Sequence, residues 1–321
     1  MQVRRIARRP RPASVVAAAA RRAAGVALAF ATAAAASAAL AGEIAGEIAG
    51  IRPGYTDRAL SEPPNASAIR ARMWVPEIDL GFVPQGLTVV GDAVLLSAYN
   101  SEGGPPKCRL YRVDRRRLVV TGRYDLPSNC GHAGGLAYAG GDRLFVSDTW
   151  RLYEVDLGRA LDAARAPGAL VRSVSLRFPL RGSFVAYRDG ALWIGEHKKP
   201  QPGAIRIVPV AALETVTDPP GLGPEHAIRS LEVAPMSQGA AFDRNGHLWL
   251  SLSFSQSGSL QKVDPASGRV LASFAVVAGI EDLDFDADGI LWSVGEAGSR
   301  RWHNWPTFYP LLFSIDVEAL R

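Results

Sequence analysis

The stretch QGLTVVGDAVLLSAYN, which begins at Gln85, decides the fold because the chain repeats its pattern four more times. Each copy consists of an extended run, a turn that carries Gly, and a second extended run. The later copies are GGLAYAGGDRLFVSDTW from Gly134, SFVAYRDGALWIGEHK from Ser183, QGAAFDRNGHLWLSLSF from Gln238 and EDLDFDADGILWSVGEA from Glu281. Short strands that pair through Gly turns and recur roughly every 40 to 55 residues predict the blades of a β-propeller.

The turn glycines predict how many blades there are. They are Gly91, Gly141, Gly190, Gly246 and Gly289. Their spacing leaves no room for a further blade between them. Asp or Asn beside each one suits the positive φ of tight hairpin turns. We therefore predict an all-β fold, a single propeller of five four-stranded blades, with six blades as the alternative.

The fifth repeat lacks its outermost strand in the printed sequence. Leu311–Val317 supplies a third strand, and the sequence ends soon afterwards at Arg321. We predict that the N-terminal segment Met73–Leu80 completes this blade, because such a closure removes a free sheet edge. The Ala-rich segment Gly158–Pro167 is the one helix that we predict after the N-terminal leader.

The N-terminal region predicts export. Residues 1–41 contain seven arginines and no acidic residue, and they include an apolar stretch, Val26 to Leu40, that ends among small residues. This pattern is typical of a signal peptide, with an uncleaved membrane anchor over residues 23–42 as the alternative. Residues 42–70 are predicted to be a flexible linker and residues 71–321 the propeller domain.

The position of the charge argues against a nucleic-acid partner. The net charge is +5, and removal of the seven leader arginines leaves −2, without any basic run in the remaining chain. The expected partners are therefore a small molecule, a glycan or an envelope protein. Membrane contact is expected only through an uncleaved N-terminal segment. The predicted location is periplasmic or extracellular.

Cys108 and Cys130 are the two cysteines of the chain. An even count in an exported protein predicts one disulfide, and two buried thiols are the alternative. A bond here would close a loop of about 20 residues, which is worth roughly 3 kcal/mol in the loop-entropy model. It would join the first blade to the start of the second.

The propeller geometry indicates where a ligand would bind. The starts of the inner strands and the ends of the second strands meet on one face around the central channel, which we call the funnel face. Polar side chains at these positions in all five repeats predict a polar binding site. The predicted ligand-binding residues are Gln85, Tyr99, Asn100, His132, Asp148, Ser183, Glu196, His197, Gln238, Glu281, Glu296 and Trp302.

Several of these residues have both a functional and a structural interpretation. Glu196, Asp148 and Glu281 are the candidates for a catalytic role, although the sequence carries no nucleophile, phosphate-loop or metalloprotease motif. Asp148 could instead brace backbone N–H groups, and His132 could bond across blades. The last loop is aromatic and basic, so it either stacks a ligand ring or plugs the channel with Trp305, Phe308 and Tyr309. Asp284, Asp286 and Asp288 are better explained by turn formation than by calcium.

Two repeats resemble a known group of propellers. FDRNGHLWLS (Phe242–Ser251) and FDADGILWSV (Phe285–Val294) are similar to repeats of the gluconolactonase, strictosidine-synthase-like and NHL-repeat propellers. Pro84-Gln85-Gly86-Leu87, His132-Ala133-Gly134-Gly135 and Gly195-Glu196 resemble a subgroup of secreted bacterial propellers, which implies a fold and export but no reaction. Gluconolactonase-type lactonases hold a divalent metal with Glu, Asn and Asp. In this sequence, Gln85 occupies the position in the first blade where those lactonases have the metal-binding Glu.

Three functions are therefore compared. The first is an exported propeller that binds its ligand on the funnel face. The second is a metal-dependent lactonase or esterase, in which Glu196, Glu281 and His132 would hold the divalent metal. The third is a glycosidase that uses Asp148 and Glu196, whose carboxyl groups would need to lie about 5 to 9.5 Å apart. Carboxylates that are dispersed and individually paired favour binding alone.

Overall fold

A computed structural model describes residues 47–321, in which twenty strands form five four-stranded antiparallel sheets. The first two sheets comprise β2 (Phe82–Val90), β3 (Ala93–Asn100), β4 (Cys108–Asp114) and β5 (Val119–Asp125), then β6 (Gly135–Tyr138), β7 (Arg143–Asp148), β8 (Arg151–Asp156) and β9 (Leu170–Ser175). The next two comprise β10 (Phe184–Arg188), β11 (Ala191–Gly195), β12 (Gly203–Pro209) and β13 (Arg229–Val233), then β14 (Ser237–Phe242), β15 (Leu248–Phe254), β16 (Ser257–Val263) and β17 (Val270–Val276). The fifth comprises β18 (Ile280–Phe285), β19 (Leu291–Gly295), β20 (Leu311–Ile315) and β1 (Ile69–Trp74).

The five sheets are the blades of a closed ring. The inner strands β2, β6, β10, β14 and β18 each contact the inner strands of both neighbouring blades. Apolar side chains fill the space between blades, so that Leu95 and Leu136 share one cluster while Phe145 and Ile194 share another. Residues from Ile48 onwards form one compact unit. The predicted five-bladed all-β propeller is confirmed.

The outer strand of the fifth blade comes from the N-terminal side of the propeller. β1 pairs antiparallel with β20, and Met73 lies opposite Leu312. The strand begins earlier than the segment Met73–Leu80 that the sequence suggested and shares only Met73 and Trp74 with it. Residues 78–80 form a 3₁₀ turn instead.

The segment before β1 packs against the propeller. Ala49 forms a parallel bridge with Met73. The Tyr55 hydroxyl donates to the Gly298 carbonyl, and the Arg58 guanidinium donates to two carbonyls of the loop after β19. These contacts place residues 48–70 in the same compact unit as the propeller, whereas the sequence suggested a flexible linker over residues 42–70. The predicted leader, residues 1–41, lies outside the described residues.

Helices contribute little to the described residues. The predicted Ala-rich helix is a short one, α1 (Leu157–Ala160), followed by a 3₁₀ turn at Ala166–Gly168. Within residues 47–321, no helix is long and apolar enough to cross a membrane.

The Phe-Asp pair that begins the repeats FDRNGHLWLS and FDADGILWSV is explained by the hairpin between the inner and second strands. The Asp243 carboxylate accepts from the backbone N–H groups of Asn245 and His247, and its second oxygen accepts from the Trp249 indole. Asp286 makes the equivalent bonds in the fifth blade, including one from the Trp292 indole. The motif therefore encodes a capped turn, as predicted for Asp286.

One carboxyl group reaches across the ring from β18. Asp282 is fully buried, and its Oδ2 atom accepts from the backbone N–H groups of Leu87 in β2 and Leu136 in β6, both at 3.0 Å. Gly239 of β14 is also adjacent, since a Cβ atom there would lie 2.7 Å from Asp282 Oδ1. A side chain that contacts strands on both sides of the ring lies in the central channel.

Cys108 and Cys130 form the predicted disulfide, with a Cα–Cα distance of 6.0 Å. Cys108 begins β4 and pairs in register with Tyr99, while Cys130 lies in the loop that leads to His132. The bond therefore fixes the loop before β6 beside the end of β3. Both of these positions belong to the funnel face.

Candidate functional site

A cavity of about 340 Å³ opens on the funnel face. Its walls carry residues from all five blades, each at the start of an inner strand, near the end of a second strand or in the adjoining loops. They are Gln85, Tyr99, His132, Thr149, Arg181, Ser183, His197, Lys199, Gln238, Ser253, Phe254, Glu296, Arg301, Trp302 and Trp305. We call this space the funnel cavity.

The structure brings most of the predicted ligand-binding residues to this cavity. Those that line it are Gln85, Tyr99, His132, Ser183, His197, Gln238, Glu296 and Trp302. The other four, Asn100, Asp148, Glu196 and Glu281, do not line it. Each of the four has a partner elsewhere that explains its position.

Asp148 braces the loop before β6. Its carboxylate accepts from the backbone N–H groups of Gly131, His132 and Ala133. The side chain thereby shapes the cavity wall from behind without lining the cavity. This is the structural alternative that the sequence allowed.

Glu196 is buried and points to cations rather than to the cavity. One oxygen lies 2.9 Å from Lys198 Nζ and 3.8 Å from the Arg206 guanidinium. The proposed pairing of Glu196 with Asp148 as glycosidase carboxylates is not supported, because each is engaged by different partners. Asn100 likewise closes its own loop by bonding to Glu102 N and Gly104 O.

Two glutamates from the fifth blade lie at the floor of the cavity. Glu296 follows β19 and faces the cavity, while Glu281 of β18 is buried behind it and hydrogen-bonds to it. Two carboxyl groups form such a bond only when a proton lies between them. The contact therefore favours the protonated form of the pair more than two isolated carboxyl groups would.

Burial sets the ionisation of this pair. Burial first, and then the charge of Glu296, raise the pKa of Glu281 well above its usual value. Burial also raises the pKa of Glu296 to about 7, although hydrogen bonds from Trp302, Glu281 and Gln85 oppose the rise. The Trp302 indole and the Gln85 amide donate to the same Glu296 oxygen at 2.7 and 2.9 Å. On the other side, Gln238 donates to Glu281 at 3.1 Å.

The two histidines of the cavity are neutral at physiological pH. Burial lowers the pKa of His132 to about 4, and its ring lies 5.0 Å from the Tyr99 ring. Burial also lowers the pKa of His197. Its Nδ1 atom lies 3.2 Å from the Ser237 carbonyl, which only accepts, so Nδ1 carries the proton.

The residues proposed as metal ligands do not come together. His132 lines the cavity, Glu281 is bonded to Glu296 and Gln238, and Glu196 pairs with Lys198. Among residues 47–321, no group of three or more His, Cys, Asp or Glu side chains is arranged to hold a metal ion. The described residues therefore do not fit the predicted divalent-metal site, and we derive no step through it.

Sequence reasoning pointed to the basic and aromatic last loop but did not name Arg181, Lys199 or Phe254 as part of the wall. Arg181 and Lys199 come from loops outside the repeated segments, and Phe254 is the last residue of β15. Arg301 and Trp305 belong to the last loop. Trp302 and Trp305 stack with their ring centroids 4.7 Å apart. Phe308 and Tyr309, which the sequence offered as a channel plug, lie instead in the core beside β1 and β20.

Comparison with known proteins finds distant structural neighbours and no match in sequence. No protein-family model and no curated protein sequence matches the chain. Myxococcus xanthus glutaminyl cyclase is similar in structure, with 13% identity and a TM-score of 0.48 over 74% of this chain and 91% of that one. PQQ-bound aldose sugar dehydrogenase from Streptomyces coelicolor has 14% identity and a TM-score of 0.46 over 73% and 94%. Streptogramin B lyase has 12% identity and a TM-score of 0.37, over 77% of this chain and 67% of that one.

Proposed function

We propose that this protein is an exported propeller that binds a small polar molecule in the funnel cavity. The observation that carries the proposal is the convergence of side chains from all five blades on one cavity of about 340 Å³. Its lining combines aromatic surface with a few directed polar groups, which is the usual composition of a small-molecule site. A glycan terminus or a peptide side chain of an envelope protein would be recognised through the same groups.

The state of the carboxyl groups supports binding over hydrolysis. Asp148 is engaged by backbone N–H groups, Glu196 by Lys198, and Glu281 by Glu296. Asp148 and Glu196 are thus individually paired, as in a binding propeller, whereas Glu281 and Glu296 lie together and are engaged by Gln238, Gln85 and Trp302. The related lactonase function would need a metal site that the described residues do not assemble.

A cavity-filling variant tests the proposal. Ser183 is half-buried in the cavity wall, so Ser183→Trp would occupy the binding space. In a thermal-shift screen against small polar metabolites and oligosaccharides, at least one compound class is expected to raise the Tm of the parent but not of Ser183→Trp. A ligand at a hundred times its Kd adds about 2.7 kcal/mol to stability, which such a screen detects.

The matched control is Ser230→Trp, which places the same side chain on the exposed outer strand of the same blade. It should retain every shift seen in the parent. A screen without any shift, or a shift that persists in Ser183→Trp, would contradict binding in this cavity.

Export is the second part of the proposal. The basic and apolar leader of residues 1–41 and the Cys108–Cys130 disulfide both support it, since disulfides persist in oxidising compartments. After expression in a bacterial host, we expect the protein in the periplasmic or extracellular fraction, and an intact mass will show whether the leader has been removed. Recovery in the cytoplasm with both thiols reduced would contradict export.

A further inference from the structure

Three cations line the funnel cavity without a carboxylate partner. Within residues 47–321, none of Arg181, Lys199 and Arg301 forms an ion pair. Each lies instead against an aromatic ring, with 4.5, 3.9 and 4.8 Å respectively between its charged group and a ring centroid. Unpaired cations around a concave space favour an anion within it.

The acidic residue of the cavity wall does not neutralise these cations. Glu296 is the one carboxyl group among the lining residues, and its oxygens are already engaged by Gln85, Trp302 and Glu281. Arg301 lowers the pKa of Glu296 but forms no direct ion pair with it. The cavity therefore carries an excess of positive charge.

Two polar atoms at this wall are buried without a hydrogen-bond partner in the described part of the chain. They are the Ser253 hydroxyl, whose residue is 4% exposed, and Arg181 Nε. A buried polar atom that stays unpaired costs free energy, so such atoms indicate groups that a ligand satisfies. Both are compatible with an anionic oxygen: Arg181 Nε donates, and a hydroxyl rotates to donate.

A flat apolar surface lies beside the cations. Trp302 and Trp305 are half-buried and stacked, and Arg301 lies next to Trp302. Indole faces bind the flat side of aromatic rings and the C–H face of sugar rings. A ligand for this wall would carry a ring as well as a negative charge.

We propose that the funnel cavity binds a small organic anion that contains a ring. The carboxylate or phosphate of the ligand faces Arg181, Arg301 and Lys199, and the ring faces the Trp302–Trp305 surface. Neutral hydroxyl groups of the ligand bond to Gln85 and Gln238 at the floor. This inference rests on the proposed function, because it names the ligand class of the same cavity.

Matched probe pairs test this ligand class. Glucuronate is compared with glucose, and 2-naphthoate with 2-naphthalenemethanol, by calorimetry and by tryptophan fluorescence. At least one anion is expected to bind about 10- to 100-fold more tightly than its neutral partner, since hydrogen bonds to charged groups contribute that much. The two pairs distinguish a sugar anion from an aromatic one, and the preference should weaken as salt is raised.

Charge-removing variants then locate the anion. Arg181→Gln and Arg301→Gln should each weaken the bound anion about tenfold or more. Arg300→Gln is the matched control, because Arg300 is exposed, lies over Tyr55 and does not line the cavity. It should leave the affinity unchanged.

The possible failures are distinguishable. Equal affinity for charged and neutral probes, or full anion affinity in both cavity variants, overturns the anion inference while small-molecule binding stands. If neither glucuronate nor 2-naphthoate binds, the anion inference is also overturned. In that case the wider screen with Ser183→Trp decides separately whether the cavity binds a small molecule at all.

Discussion

Asp282→Ala is expected to lower the free energy of unfolding by about 2–6 kcal/mol, since it leaves two buried N–H groups without acceptors. Those groups belong to Leu87 of the first blade and Leu136 of the second, and both donate to Asp282 Oδ2. The residue comes from the fifth blade, so the loss weakens contacts among three inner strands around the channel. Urea unfolding of the variant and the parent measures the difference.

Asp282→Asn is the control for this prediction. Burial raises the pKa of Asp282 well above its usual value, which favours the neutral carboxyl group, and asparagine is a neutral side chain of the same shape. Its carbonyl oxygen can accept from both N–H groups, so we expect a loss of only about 1 kcal/mol. Equal losses in the Ala and Asn variants would show that the acceptor oxygen does not hold the inner strands together.

Much of the fold could be predicted from the sequence because its signals are local. Gly91 and Gly289, like the other turn glycines, mark hairpins whose strands are adjacent in the chain. The disulfide could also be predicted, since Cys108 and Cys130 have no other cysteine with which to pair. The β1–β20 closure was harder to place, because it joins residues far apart in the chain and lacks a turn that fixes the register.

The candidate site could be predicted only in part, for a related reason. Propeller geometry placed Gln85 and Gln238 at the cavity because both start inner strands. It failed for Glu196, whose position at a strand end did not show that Lys198 and Arg206 would hold the carboxylate. Position along a strand predicts the face of the propeller, but the direction of a charged side chain depends on partners contributed by other strands and loops.

Two cations of the cavity wall, Arg181 and Lys199, were missed because they are not part of the repeat. Arg181 and Lys199 lie in connecting segments whose sequences differ from blade to blade. They matter because they have no ion-pair partner within the described residues. That property depends on the folded surroundings and cannot be read from the charges in the sequence. The raised pKa values of Glu281 and Glu296 depend in the same way on burial.

Glu296→Gln is expected to change how stability depends on pH. The folded state raises the pKa of Glu296 from 4.5 to about 7, so between these values the folded protein retains a proton that the unfolded chain releases. This group therefore lowers stability as pH rises, by about 3 kcal/mol in total by pH 8. His132 opposes this trend at lower pH, because its pKa falls to about 4 on folding. The difference between variant and parent removes the His132 contribution.

The free energy of unfolding of Glu296→Gln relative to the parent should thus rise by about 2.5 kcal/mol between pH 5 and pH 8, as measured by urea unfolding across that range. The control is Glu214→Gln, which neutralises an exposed glutamate away from the cavity and should give a curve parallel to that of the parent. Parallel curves for Glu296→Gln as well would mean that Glu296 is already ionised in the folded protein at pH 5. The floor of the cavity would then carry a full negative charge, and an anionic ligand would have to be held against it by the three cations alone.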